Sequence, residues 1–271
     1  MQEFFKELNK ELKFAFYATK KNIANNAELR TSFIMNVAGM AINNYSFVFL
    51  WVYFVKSVGV IGGWTSADVI ALQGFDALAF GLIFSVGLGI IKLPTYVSSG
   101  AFDRFMLSPK NLIVRVATSA FSSSAVGDML FGIVCLIFYA LYTHASYVQV
   151  IMLAYLISMA MLVFLAMAIA VHSTGFFFVD ASRVTRSLFE LFLTPAMFHG
   201  GAFQGVMRVV FTFVIPSLLI GTLPVEAVRD LSFSKLLLIT VLAVAWLLIA
   251  LKIFEKAVKH YESSNFMTFG N

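Results

Sequence analysis

Six residues that can hydrogen-bond or carry charge sit inside apolar runs. Gln73 and Asp76 are three apart and share one helical face, and Asp128 lies in a later run. Asn36, Asn43 and Asn44 recur at i, i+7 and i+8 in an earlier run, with Met40 on the same stripe. An ionisable group in hydrocarbon is costly and normally faces a helix bundle or water. Two roles follow. The six can line a translocation path, or they can hold helices together by interhelical hydrogen bonds, with the aspartates protonated. The asparagine stripe serves equally well as glue between two copies.

Other chemistry has little footing. His144, His172, His199 and His260 are scattered, with no H-E-x-x-H pair, so no metal site is expected. The single cysteine, Cys135, excludes an internal disulfide and a thiolate cluster. No G-x-x-x-x-G-K-S/T loop occurs, so this chain has no P-loop to cradle a nucleotide phosphate. Ser122, Ser123 and Ser124 have no nearby histidine; small residues there favour close helix packing. No catalytic residue is assigned.

The elements that position the six are membrane spans. The chain has 271 residues, 60% hydrophobic and 12% charged, with a mean hydropathy of +0.89. A soluble domain of this length cannot hide that much apolar surface. A crossing needs roughly 20 apolar residues. Five segments qualify: 31–55, 67–91, 118–142, 147–171 and 233–253. The region 187–223, interrupted by Pro195, Gly200-Gly201 and Pro216, reads as a short span plus a hairpin or a surface helix plus a span. Either gives six crossings.

Lys and Arg set the orientation. Of the 19, 15 fall on one side: in the N-terminal segment, after spans two and four, and in the tail. Lys56, Arg229 and Lys235 fall opposite, and Arg208 is ambiguous. Both termini are therefore expected in the cytoplasm. The net charge of +5 reflects this orientation, not nucleic acid. Phe4, Leu8, Leu12 and Phe16 form an apolar face away from Lys6, Lys10 and Lys13, so residues 1–25 read as an interfacial helix and no cleaved signal peptide is expected. Lys252, Lys256 and Lys259 share a face suited to anionic headgroups. Trp51, Tyr53 and Trp64 fit an outer aromatic belt.

Between spans two and three, residues 92–111 are short, amphipathic and punctuated. Ser98 or Ser99 can cap a helix that Pro109 ends. Phe102, Phe105 and Met106 then form its apolar face, and Asp103 and Arg104 point elsewhere. Such a helix rests on lipid headgroups or fits a groove in a cytoplasmic protein.

Gly100-Ala101-Phe102-Asp103-Arg104-Phe105-Met106-Leu107-Ser108-Pro109 resembles the G-x-hydrophobic-D-x-x-hydrophobic-hydrophobic-x-P signature of the ABC-2 permeases, membrane subunits of ATP-binding-cassette exporters. Leu193 to Gly201, Phe213 to Pro216 and Leu223-Pro224 are similar to that family's fifth span, re-entrant outer helices and proline-marked turn. Phe102 and Phe105 stand where the family usually has Leu.

The resemblance implies an all-α membrane protein of one domain, residues 1–271. It would have six transmembrane helices, an N-terminal interfacial helix, a cytoplasmic coupling helix at 93–109 and a re-entrant outer-leaflet hairpin at 200–223. The chain would be the permease subunit of an exporter in the inner or plasma membrane. It would pair with a second permease, identical or related, and dock on separate ATPase subunits through Ser99, Gly100, Phe102, Asp103, Arg104, Phe105 and Met106. The 180–187 turn and the N-terminal helix would be lesser contacts. ATP and Mg would bind the partner ATPase, with no cofactor in this chain. Asn36, Asn43, Asn44, Gln73, Asp76 and Asp128 would line the path for an amphipathic or lipid-like substrate, or a peptide or drug. The rival readings are an ion-coupled transporter using Asp76 and Asp128, and a membrane-embedded lipid-modifying enzyme. Inverted repeats would favour the first and clustered catalytic groups the second; the sequence displays neither.

Overall fold

The computed structural model describes residues 2–58, 62–108, 110–178 and 181–261, and its elements are all helices. Helix α1 (Gln2–Ala27) turns at Glu28 into α2 (Arg30–Val58), and α3 (Ser66–Val86) follows. Four short helices come next: α4 (Leu88–Ile91), α5 (Leu93–Ser98), α6 (Asp103–Met106) and α7 (Leu112–Ala117). Then come α8 (Ser124–Tyr142), α9 (Tyr147–Ser173), α10 (Ala181–Ala196), α11 (Val206–Val209), α12 (Thr222–Arg229) and α13 (Phe233–Val258).

Five helices are long and apolar enough to cross a membrane: α2, α3, α8, α9 (running on to Phe176) and α13. They coincide with the five expected spans, with two shifts. The second ends at Val86 because Gly87 caps it, its N–H donating to Ile83 O at 2.6 Å. The third starts at Ser124, since residues 118–123 are irregular.

Between α10 and α12 the chain changes form repeatedly. Pro195 sits in the last turn of α10, and a 3-10 turn covers Gly200–Ala202. A π-helical turn covers Val210–Val214, and another 3-10 turn follows Pro216. A proline lacks the N–H that a continuous helix needs. The longest piece, α10, has 16 residues, about 24 Å at 1.5 Å per residue. That is short of the roughly 30 Å hydrocarbon core.

Helix α3 is the best-enclosed span, whereas no residue in the most apolar stretch of α2 is fully buried. Close approach of α3 and α8 depends on missing side chains. A Cβ on Gly132 would lie 2.7 Å from Leu78 N, and one on Gly81 2.7 Å from Ala125 O. Helices α9 and α13 also pack on each other, and both carry fully buried small residues, Ala160 in α9 and Ala243 and Ala250 in α13.

One end of the bundle gathers α1, α4 to α7 and the end of α13. There Asn22 Nδ2 donates to Thr118 O at 2.8 Å, and Asn111 N donates to Glu11 Oε1 at 3.3 Å. In α1, Leu12 and Phe16 are exposed; the side chains of Phe4 and Leu8 lie outside the described residues. The opposite end holds Trp64, α12 and the start of α13. Trp64 is not at a lipid-facing belt: it is buried beneath the Arg229 guanidinium, 5.8 Å from the ring centroid. Trp51 packs edge-on against Phe198 and His199, while Tyr53 is exposed as a belt residue would be.

Candidate functional site

Four spans and the end of α10 line a partly open cavity of about 230 Å³ beside the middle of α3. Helix α2 contributes Met40, Asn43, Asn44 and Phe47; α3 contributes Gln73, Asp76, Ala77 and Phe80. Asp128 and Phe131 come from α8, Phe164 from α9, and Leu193, Ala196 and Met197 from the end of α10. Thus five of the six polar residues singled out by sequence share one chamber. Asn36 does not reach it. It is exposed, and its Nδ2 lies 3.4 Å from Ser32 Oγ.

The polar groups of the chamber are unequally partnered. Gln73 Nε2 donates to Met197 O at 3.2 Å, satisfying a carbonyl left free beyond the end of α10. Asn44 Nδ2 donates to Asp128 Oδ1 at 2.6 Å, bridging α2 and α8. Asp128 Oδ2 and both carboxylate oxygens of Asp76 are shielded from solvent without a hydrogen-bond partner. Among the described residues, no Lys, Arg or His lines the chamber. The sequence did not mark out the phenylalanines of its wall, because 30 Phe are spread over the chain.

A second cavity of about 460 Å³ adjoins the first toward the α4–α7 end, and both are lined by Phe80 and Leu193. Its wall carries Lys92, Arg186, Glu190 and His172. Phe80 stacks on Phe84, with centroids 4.0 Å apart, at the boundary.

The 92–111 segment departs from the expected single helix. Ser98 ends α5 and does not open a helix; Ser99 Oγ turns back to donate to Thr95 O at 2.7 Å. Gly100, at φ 71°, reverses the chain in the left-handed region that glycine alone enters freely. Asp103 then opens α6, which closes at Met106; Pro109 lies outside the described residues.

The apolar face is split. Phe102 is fully buried, its ring 4.9 Å from Tyr261 and 5.1 Å from Phe176. Phe105 is 6% exposed, against Tyr96 and beneath Arg104. Burying each stabilises the fold by about 1.5–3 kcal/mol, so these rings are committed to this chain. Met106 and Leu107 are 52% and 86% exposed, and Ser99 and Arg104 also face outward. Asp103 accepts from Tyr261 Oη at 2.7 Å. Burial and that carboxylate push the Tyr261 hydroxyl up to about 12. The tail thereby pins the segment.

At the opposite end, buried carboxylates are paired. Asp68 accepts from Thr65 N and Oγ1, closing the cap of α3, and from Arg229 Nη1 at 3.4 Å. Glu226 accepts from Arg208 Nη2 at 2.6 Å and Lys235 Nζ at 3.2 Å. Arg208, ambiguous by sequence, belongs to this end. Burial raises the Asp230 carboxyl, but Lys235 and Arg229 outweigh it and hold the group below its usual range.

Five helices long and apolar enough to cross a membrane mark a multi-pass membrane protein. Residues 40–265 match the family described as ABC-2 family transporter protein, and the chain belongs to that family. It is thus a membrane transport subunit, in keeping with the likeness seen at Gly100 to Pro109. No curated protein matches the chain, and no solved structure matches it.

Proposed function

We propose that this chain is the permease subunit of an exporter that moves an amphipathic or lipid-like substrate out of the cytoplasm. ATP and Mg would be bound by a separate ATPase subunit, and a second permease would complete the path. The observation that carries the reading is the chamber, where Asn43, Asn44, Gln73, Asp76 and Asp128 meet an aromatic wall. Helix α1 and the end of α13 lie at the end bearing most of the positive charge, which supports a cytoplasmic assignment for that end. Helix α10 would make the sixth crossing together with the turns after it, and residues 200–223 would form the outer hairpin. Irregular backbone at such depth needs protein or a cavity beside it.

The exposed face of α6, Arg104, Met106 and Leu107, is the docking surface in this reading, and buried Phe102 and Phe105 are its anchor. Displacing α6 would move the end of α9 through Phe176 and the tail through Tyr261, besides flanking α3 and α8. A nucleotide state shifts this equilibrium only by its differential affinity for the two conformations.

The test is ATP-dependent transport in inside-out vesicles. Leu107→Glu and Met106→Glu are expected to abolish transport and release the ATPase while the permease stays folded. Transport that needs no ATP but collapses with a protonophore would transfer the chamber carboxylates to the ion-coupled reading, which the unbonded oxygens of Asp76 and Asp128 Oδ2 also suit.

A further inference from the structure

Among the described residues, the buried carboxylates at one end of the bundle meet a cation: Asp68 meets Arg229, and Glu226 meets Arg208 and Lys235. The chamber breaks that pattern. Asp128 is 3% exposed with Oδ2 unbonded, and both Asp76 oxygens are shielded and unbonded. An isolated carboxylate in a low dielectric is unstable as the anion and requires a positive partner or a proton. Among the described residues no basic side chain lines the chamber. The neighbouring cavity also carries an acid, Glu190, but Lys92 and Arg186 line it too, so of the two cavities the first holds carboxylates without a base among the described residues.

The rest of the lining distinguishes between a proton and a larger partner. Phe47, Phe80, Phe131 and Phe164 face the same space, and a cavity of about 230 Å³ holds an organic group. Aromatic faces attract a cation within about 6 Å of the ring, and quaternary ammonium groups are recognised in this way.

We propose that the chamber binds a lipophilic organic cation, its charge on Asp76 and Asp128 and its apolar body against the four phenylalanines. This rests on the transport reading above and names the substrate class. Asn44 is a positioning residue, because its amide holds Asp128 Oδ1 and leaves Oδ2 for the ligand.

The test is equilibrium binding to the full chain in lipid nanodiscs, without ATPase or ATP. The probe is the fluorescent dimethylaminostyryl-N-methylpyridinium cation. Its unmethylated parent, at a pH where the pyridine nitrogen is uncharged, supplies the same outline without the charge. Saturable cation binding is expected, weakened about tenfold in Asp76→Asn and in Asp128→Asn, the equivalent of about 1.4 kcal/mol each. Asp76→Glu should retain it, and the neutral parent should respond to neither asparagine change. Should Asp128→Asn fail to fold, Asp76→Asn against Asp76→Glu decides. Wild-type cation affinity in folded Asp76→Asn, or equal affinity for cation and parent, overturns the proposal. Cation binding that persists while transport proves independent of ATP would sink the exporter reading and leave this site standing.

Discussion

Asp68 and Asp76 stand on the same helix, and their surroundings are opposite. Asp68 closes the cap of α3 and receives Arg229. Asp76, two turns deeper, has no partner for either oxygen. The same contrast separates Glu226, held by two cations, from Asp128, held on one oxygen by an amide. A carboxylate at the bundle end stabilises the fold because guanidinium and ammonium groups reach it from the interface. A carboxylate in the chamber gains no such partner and destabilises unless something else arrives. The first pair reads as architecture; the second is the pair proposed above to bind substrate.

That division has measurable consequences. The largest expected effect is on transport: Asp76→Asn should lower it at least about tenfold while the melting temperature holds or rises, since an amide is easier to bury than an unpaired charge. Unchanged transport would move Asp76 to the structural group. Glu226→Ala should do the reverse, destabilising by about 3 kcal/mol. That is the low end for breaking a buried pair, because Arg208 and Lys235 keep partial access to water. Thermal unfolding in detergent measures it, and an unchanged melting temperature would remove the network from the list of stabilising elements. Asp68→Ala should be milder, about 1–2 kcal/mol, the usual effect of losing an N-cap partner, read by the same unfolding curve.

The smallest effect is pH-dependent. The folded pKa of Asp230 is depressed by Lys235 and Arg229. Its contribution is therefore complete above the unfolded value of 3.8 and lost as pH falls through the lower folded value. Amide protection factors at residues 226–235, the exchange rates corrected for their intrinsic pH dependence, should fall on acidification in that window. Asp230→Asn should flatten this part of the response; a steeper response would reverse the sign.

The spans were legible because a bilayer imposes a length and an apolarity that local composition records. The 31–55 run became Arg30–Val58, and 233–253 became Phe233–Val258. Five chamber residues were legible for the same reason, as polar groups in hydrocarbon stand out. Asn36 lies outside the chamber, because seven residues along a helix is about 10.5 Å. It shares a stripe with Asn43 without reaching its depth.

The 92–111 segment shows the limit more sharply. Spacing marked Phe102 and Phe105 as apolar but carried no information about what would cover them. Tyr261, 158 positions from Asp103 in sequence, turns that face inward. Nor did any local signal join Arg208 to Glu226 or Arg229 to Asp68, contacts made only when α11, α12 and α3 meet.

The chain's own residues thus determined that it spans a membrane, where the long helices run, and which polar groups lie within them. Those properties follow from transfer free energies, which act residue by residue. Tertiary structure alone decided that Asp76 and Asp128 share one chamber while Asp68 and Glu226 are neutralised, and that Leu107, not Phe102, faces outward. Pairing, enclosure and exposure depend on which distant helices approach, and helix packing sets that through shape.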